Sequence, residues 1–109
     1  MISFACIVQE DAVPDSVRET LSTELARIGT SIFGGDAEKV TVDFTEIPSG
    51  SGFRGGEPSS ASLVSSSVPV GTDAEARTRL LQEVNDMWYR VTGCASDDLL
   101  VSALDTPGA

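Results

Sequence analysis

The chain has 109 residues, 40% of them hydrophobic and 22% charged, as expected for one globular domain with a modest core. Seventeen acidic against seven basic residues give a net charge of −10, which argues against nucleic acid and anionic membranes as partners, because both require clustered cations. Histidine is absent, which excludes serine–histidine triads, histidine-ligated metals and histidine proton shuttles.

The first half of the chain predicts a strand, a helix and a second strand. ISFACIV, residues 2–8, predicts the first strand, and KVTVDFT, residues 39–45, predicts the second. Between them, apolar residues recur every three or four positions, at Val17, Leu21, Leu25, Ile28 and Ile32. This spacing predicts an amphipathic helix from Pro14 to Phe33, with Pro14 in its first turn and Gly34 just past its end.

A glycine-rich stretch, GSGFRGG at residues 50–56, follows the second predicted strand. Gly50, Gly52 and Gly55 satisfy the G-x-G-x-x-G spacing of dinucleotide-binding loops. That fingerprint requires a helix to begin at the last glycine, so that its N-terminus faces the pyrophosphate. Here Pro58 and the strand-like SASLVSSSVPV follow instead. The stretch is therefore interpreted as a flexible connector.

The second half repeats the organisation of the first. ASLVSSSV, residues 61–68, and DLLVSAL, residues 98–104, predict two strands around a helix that begins at a Thr72–Glu75 capping box and ends at Gly93. A shift of 59 positions places the apolar face of the first helix on Ala76, Leu80, Val84, Met87 and Val91. We expect a duplicated unit in a single domain over 1–109, with repeats at about 1–48 and 60–107 and a linker at 49–59.

This arrangement predicts an α+β fold of the order β-α-β-β-α-β, a four-stranded sheet with two helices on one face. The residues expected to face the helices are Phe4, Cys6, Val42, Phe44, Leu63 and Val101. The residues expected on the opposite, small and polar face are Ser3, Ala5, Thr41, Asp43, Thr45, Ser62, Ser66 and Ser102. An unrelated ferredoxin-like binding module shares the same element order, but the first and last elements of each of its halves would not be adjacent.

Neither a cofactor nor a metal is expected. Cys6 and Cys94 are too few for a zinc site, and Cys6, within an apolar run, is interpreted as a buried free thiol. No run reaches transmembrane length, and the first residues lack the features of a signal peptide, so a cytoplasmic protein is expected.

The sequence resembles the tautomerase superfamily, in particular proteins related to cis-3-chloroacrylic acid dehalogenase and macrophage migration inhibitory factor. The resemblance rests on the duplication and on VPDS at 13–16, F-x-G-G at 53–56 and EP at 57–58. It implies a homotrimer whose sheets surround a central barrel, or a hetero-oligomer with a proline-bearing homologue. It also implies a small-molecule ligand.

The same resemblance implies chemistry at an amino-terminal proline, yet the sequence begins Met1-Ile2. The sequence also departs from the family at its other site positions. These positions are occupied here by Ile28, by Pro69 and Thr72, by Ser102 and, in place of a lysine, by Gly34–Gly35. No lysine, histidine or tyrosine is expected near enough to take over these roles.

Two functions of this superfamily follow from these departures. The first is a non-catalytic relative that binds a small molecule or serves as an oligomer subunit. The alternative is an isomerase or tautomerase that acts on a small carbonyl or enol compound through the α-amine of Met1, since such an amine titrates near neutral pH. The resemblance suggests a substrate pocket at Ile2, Arg54, Ser66, Ser67 and Ser102.

Overall fold

The computed structural model describes residues 2–10, 13–48, 50–54, 56–58, 61–94 and 99–105, with backbone only at 53, 54, 57 and 58. Four seven-residue strands, β1 (Ser3–Gln9), β2 (Thr41–Ile47), β5 (Ser62–Val68) and β6 (Leu99–Asp105), form one sheet in the order β2-β1-β5-β6. A separate two-stranded ladder joins β3 (Phe53–Arg54) and β4 (Glu57–Pro58). The connector therefore contains an antiparallel strand pair, and the first helix after it begins only at Ala74.

Two helices, α1 (Asp15–Phe33) and α2 (Ala74–Thr92), connect the parallel strand pairs, and a short 3-10 helix (Ala37–Lys39) precedes β2. β1 pairs in parallel with β2, β5 pairs in parallel with β6, and β1 and β5 meet antiparallel in the centre. The expected α+β fold is confirmed. The ferredoxin-like alternative is wrong, because the two strands of each half are direct neighbours.

The helix ends agree with the glycine predictions and correct the capping prediction. Gly34 and Gly93 follow the two helices with φ of 78° and 69°, and each amide donates a 2.8 Å hydrogen bond back into its helix. Glycine is favoured there because a side chain strains this backbone conformation. The N-cap of α2 is Asp73, whose carboxylate accepts a 2.8 Å bond from the amide of Ala76. Similarly, Pro14 is the N-cap of α1 and not a residue of its first turn.

The hydrophobic core lies between the helices and one face of the sheet. Its buried members are Ile2, Phe4, Cys6, Val8, Val13, Leu21, Leu25, Ile28, Val64, Val68, Leu80, Val84, Met87 and Trp88. Cys6 is 1% exposed and free, as predicted. No helix among the described residues is long and apolar enough to cross a bilayer.

The prediction for the faces of β5 is wrong by one residue. Paired residues of adjacent strands lie on the same face, and β5 pairs Ser66 with Phe4 and Val64 with Cys6. Ser62 and Ser66 are therefore buried under the helices, and Leu63 lies on the open face opposite Ile7. The helix-facing prediction holds for the other strands, where Phe4, Cys6, Val42, Phe44 and Val101 all belong to the core or pack against it.

The open face of the sheet is less polar than predicted. One row across it consists of Thr45, Ile7, Leu63 and Leu100, and the next row, of Asp43, Ala5, Ser65 and Ser102, is mostly small and polar. Leu100 and Leu104 of β6 are 64% and 60% exposed. Large apolar side chains on an uncovered sheet favour contact with another surface.

Candidate functional site

A cavity of about 310 Å³ lies where the chain enters β1, next to the end of α1 and the 3-10 helix. It is lined by Ile2, Phe33, Gly34, Gly35, Asp36, Lys39, Val40 and Pro69. The wall is therefore largely apolar, with one acidic and one basic side chain. This volume and lining suit a small organic ligand.

Three chain segments form the cavity. Ile2 is held beside β2 by a 3.3 Å bond from the amide of Thr41 to its carbonyl oxygen, and its side chain is only 5% exposed. Gly34 and Gly35, with φ of 78° and 85°, turn the chain out of α1, and the 3-10 helix brings Lys39 and Val40 back towards the sheet. The turn after β5 adds Pro69.

Lys39 corrects the expectation that no lysine lies near this end of the fold. The lysine position implied by the resemblance falls on Gly34–Gly35, but the 3-10 helix places Lys39 in the wall of the same cavity. The signal available in the sequence was that Lys39 is the only lysine and follows these glycines closely. Its spatial position depends on the path of the chain after α1.

The predicted pocket residues do not come together in one place. Met1 lies outside the described residues, and only the backbone of Arg54, in β3, is described. Ser66 lies under the helices, whereas Ser67 and Ser102 belong to the open-face positions of β5 and β6. Among the predicted residues whose side chains the structure describes, Ile2 alone lines the cavity.

Ser66 and Ser67, the two predicted pocket residues in β5, differ because neighbouring strand residues point to opposite faces. The Ser66 side chain is completely buried, and its hydroxyl oxygen lacks a hydrogen-bond partner within the described chain. Ser67 is opposite Ser3 on the open face and is half-buried. A single cavity on either face of this subunit therefore cannot use both hydroxyls.

The two charged side chains that line the cavity, Asp36 and Lys39, do not form an ion pair with each other. Within the described part of the chain, neither Asp36 nor Lys39 makes a side-chain ion pair or hydrogen bond, although the Lys39 amide donates a 3.0 Å bond to the Asp36 carbonyl oxygen. Both side chains are exposed at the mouth. The arrangement can thus present a positive and a negative group to a ligand whose apolar part contacts the floor.

The other titratable group of note lies in the core. Burial, and to a lesser degree Asp43, raises the pKa of the Cys6 thiol from 9.0 to about 12, so this thiol stays protonated at neutral pH. No group of three or more carboxylate or thiol side chains suited to a metal ion occurs among the described residues. Two further depressions, of about 240 and 490 Å³, are lined mostly by polar and charged side chains of the helices.

Comparison with solved structures identifies the fold. The native structure of Ps01740 superposes with a TM-score of 0.91 at 24% identity, covering 97% of this chain and 95% of that one. N1, a member of the cis-3-chloroacrylic acid dehalogenase family, gives 0.89 at 18% identity over 97% of this chain and 76% of that one. A fused 4-OT solved as a symmetric trimer gives 0.85 at 17% identity over 96% and 85%. No family model and no curated protein matches the sequence.

The chain has the fold of the tautomerase superfamily, as the resemblance of the sequence implied. Structural similarity at less than 25% sequence identity establishes the architecture of the chain. Its chemistry depends on its own residues.

Proposed function

We propose that this protein is a non-catalytic tautomerase-fold relative that binds a small molecule in the cavity beside Ile2 and Lys39. The observation that carries the proposal is the cavity itself, at the end of the sheet where β1 begins. It combines an apolar wall with the charges of Asp36 and Lys39, which pair with no other side chain among the described residues. The resemblance associates this end of the fold with an amino-terminal proline, and here the residue in that position is Met1.

We further propose that the protein assembles as a homotrimer through the open face of its sheet. Leu100 and Leu104 are exposed on this face, and a structurally similar fused 4-OT is a symmetric trimer. In such an assembly Ser67 and Ser102, which lie on the open face, would face the neighbouring copies. Sedimentation analysis of the purified protein tests this point. A stable monomer, or assembly only after a proline-bearing homologue is added, would overturn the homotrimer, and the second result would support a mixed oligomer.

Ligand binding can be tested with a cavity-filling substitution. Val40→Trp adds bulk to the cavity wall, and Val70→Trp adds the same group at a valine that is 62% exposed and does not line the cavity. A panel of small apolar carboxylates, amines and amino acids is screened by the NMR shifts of Ile2, which is present in all three proteins. Binding to the natural protein and to Val70→Trp, lost in folded Val40→Trp, supports the proposal. Absence of binding across the panel contradicts it.

A second candidate function is isomerisation of a small carbonyl or enol compound by the α-amine of Met1. It is favoured by the position of Ile2, the residue after Met1, in the cavity wall. The test is ketonisation of phenylenolpyruvate and 2-hydroxymuconate, with Ile2→Pro as a comparison in which removal of the initiator methionine exposes a terminal proline. Activity of the natural protein above background supports the amine. Activity of Ile2→Pro alone supports a preserved pocket without catalysis.

A further inference from the structure

We infer that the ligand of the cavity is a small zwitterion with an apolar body, of the class of apolar α-amino acids. This inference rests on the proposed small-molecule-binding function and names the chemistry of the ligand. It follows from three features of the described chain: two opposite charges in one cavity, the net charge of the protein, and the apolar floor.

The charges of Asp36 and Lys39 are available to a ligand. Both residues line the cavity, and within the described chain neither is paired with another side chain. A ligand ammonium next to Asp36 and a ligand carboxylate next to Lys39 would satisfy both groups by charge-assisted hydrogen bonds. A purely anionic ligand leaves Asp36 unpaired beside a negative group, and a purely cationic one leaves Lys39 beside a positive group. The pair of residues therefore favours a ligand that carries both charges.

The overall charge of the protein acts in the same direction. The chain carries a net charge of −10, and Lys39 is its only lysine. The summed field of such a protein opposes the approach of a free anion, although it leaves a net-neutral zwitterion unaffected to first order. The negative field of the protein therefore weakens the attraction of Lys39 for a ligand that carries only a carboxylate.

The floor of the cavity accounts for the apolar body. Ile2, Phe33, Val40 and Pro69 line it, and Ile2 is almost fully buried. A branched aliphatic side chain placed against them gains stability from the apolar surface it removes from water. A volume of about 310 Å³ suits a small amino acid and leaves no room for a folded peptide.

Three ligands with the same aliphatic skeleton test the inference: L-leucine, 4-methylpentanoate, which lacks the ammonium group, and 3-methylbutylamine, which lacks the carboxylate. Titration calorimetry and NMR titration of the full chain at pH 7 give the affinities. We expect leucine to bind at least tenfold more tightly than either analogue. Equal or tighter binding of 4-methylpentanoate overturns the zwitterion while leaving the proposed ligand-binding function intact.

Two charge-removing variants assign the partners. Lys39→Met is expected to weaken the binding of leucine and 4-methylpentanoate about tenfold without weakening that of 3-methylbutylamine. Asp36→Asn is expected to weaken the binding of leucine and 3-methylbutylamine about tenfold without weakening that of 4-methylpentanoate. Arg79→Met and Asp86→Asn, at charged surface positions of α2 that do not line this cavity, are matched controls expected to leave all three affinities unchanged. If both cavity variants bind leucine as the natural protein does, the inference is wrong. If none of the three compounds shifts the resonances of Ile2 and Val40, while another apolar compound does, the inference again fails and the cavity function stands.

Discussion

Arg18 and Arg77, 59 positions apart, share two matching contacts in the two halves of the fold. The Nε atom of each donates to a carbonyl oxygen five residues earlier, that of Val13 at 3.1 Å and that of Thr72 at 3.2 Å. A terminal nitrogen of each pairs with a carboxylate in the second strand of its own half, Glu46 at 2.5 Å for Arg18 and Asp105 for Arg77. Each arginine thus ties the start of its helix to the end of a strand.

Removal of these contacts gives the first prediction. Because the ion pairs are partly exposed, their loss should have a modest effect. Arg18→Met should lower the free energy of unfolding by roughly 1–2 kcal/mol, a figure that includes the loss of the contact between the guanidinium and the Phe44 ring, 5.8 Å from its centroid. Arg77→Met should cost about 1 kcal/mol. The two sites share no partner, so the double variant should be additive within about 0.5 kcal/mol in urea unfolding. A clear non-additive term would show that the halves are coupled through these contacts.

Gly29 of α1 is the subject of the second prediction. A methyl group added there would meet Phe4 and Val40 at 3.7 Å and Ile2 at 3.8 Å, which are ordinary contact distances. Gly29→Ala should therefore stabilise the protein by about 1 kcal/mol, since alanine also favours the helix. Gly34→Ala is the matched control, because φ of 78° strains any side chain and stability should fall. A loss of stability in Gly29→Ala would show that the end of α1 packs more tightly than described.

The unpartnered hydroxyl of Ser66 leads to the third prediction. A buried hydroxyl without a hydrogen bond loses its interaction with water and gains nothing in return. Ser66→Ala should therefore leave the free energy of unfolding unchanged or raise it by up to about 1 kcal/mol. In contrast, Thr92→Val should cost about 1 kcal/mol, because the Thr92 hydroxyl donates to the Trp88 carbonyl at 2.7 Å and accepts from the Cys94 amide at 3.2 Å.

Ser66→Ala also bears on the function. If Ser66 contacted a ligand, as the resemblance suggested, the substitution would weaken binding in the cavity. We expect unchanged ligand affinity, because the hydroxyl is buried beneath the helices and does not line the cavity. A ligand-affinity loss with normal stability would restore Ser66 as a site residue.

The fourth prediction concerns Cys6 and pH. Its pKa in the folded protein, about 12, exceeds the ordinary value of 9.0, chiefly because of burial. The contribution of the protonated Cys6 thiol to the free energy of unfolding is complete below pH 9. It is lost as the pH rises towards 12, and the free energy of unfolding falls by up to about 1.4 kcal/mol per pH unit. Urea unfolding between pH 8 and 10.5 should show this loss in the natural protein and in Cys94→Ala, and a shallower one in Cys6→Ala.

Thiol labelling provides an independent readout of the same burial. Half-buried Cys94 should react with an alkylating reagent in the folded protein, and Cys6 should react only after unfolding. Labelling of Cys6 at the rate of Cys94 under native conditions would contradict the buried, protonated thiol.

The positions of helices and strands could be predicted because they depend on local patterns. Five apolar residues spaced three or four positions apart indicate a helix on their own, and the glycines at 34 and 93 end the helices because few other residues adopt their backbone conformation. The observed helix boundaries still differ from the predicted ones by one or two residues. At the start of α2, for example, Thr72 and Asp73 are both suitable caps, and the structure uses Asp73. The fold class followed from the order and duplication of these elements.

The faces of β5 could not be predicted in the same way. Its sequence, SLVSSSV, alternates weakly, so either set of residues could have faced the core. Pairing with β1 decides the matter, because it aligns Val64 with Cys6 beneath the helices and leaves Leu63 on the open face. Serines then occupy buried positions that no hydrophobic pattern would assign to them.

The sequence alone determined the order of helices and strands, the C-terminal ends of the helices and the acidic, histidine-free composition, because each of these depends on residue type or on spacing within one element. Only the tertiary structure decided which side chains meet. Strand pairing places Ser66 beneath the helices, and the turn after α1 carries the chain back so that Lys39 lines the same cavity as Ile2 and Pro69. Contacts between residues distant in sequence depend on the packing of all the elements at once, and no local pattern encodes them.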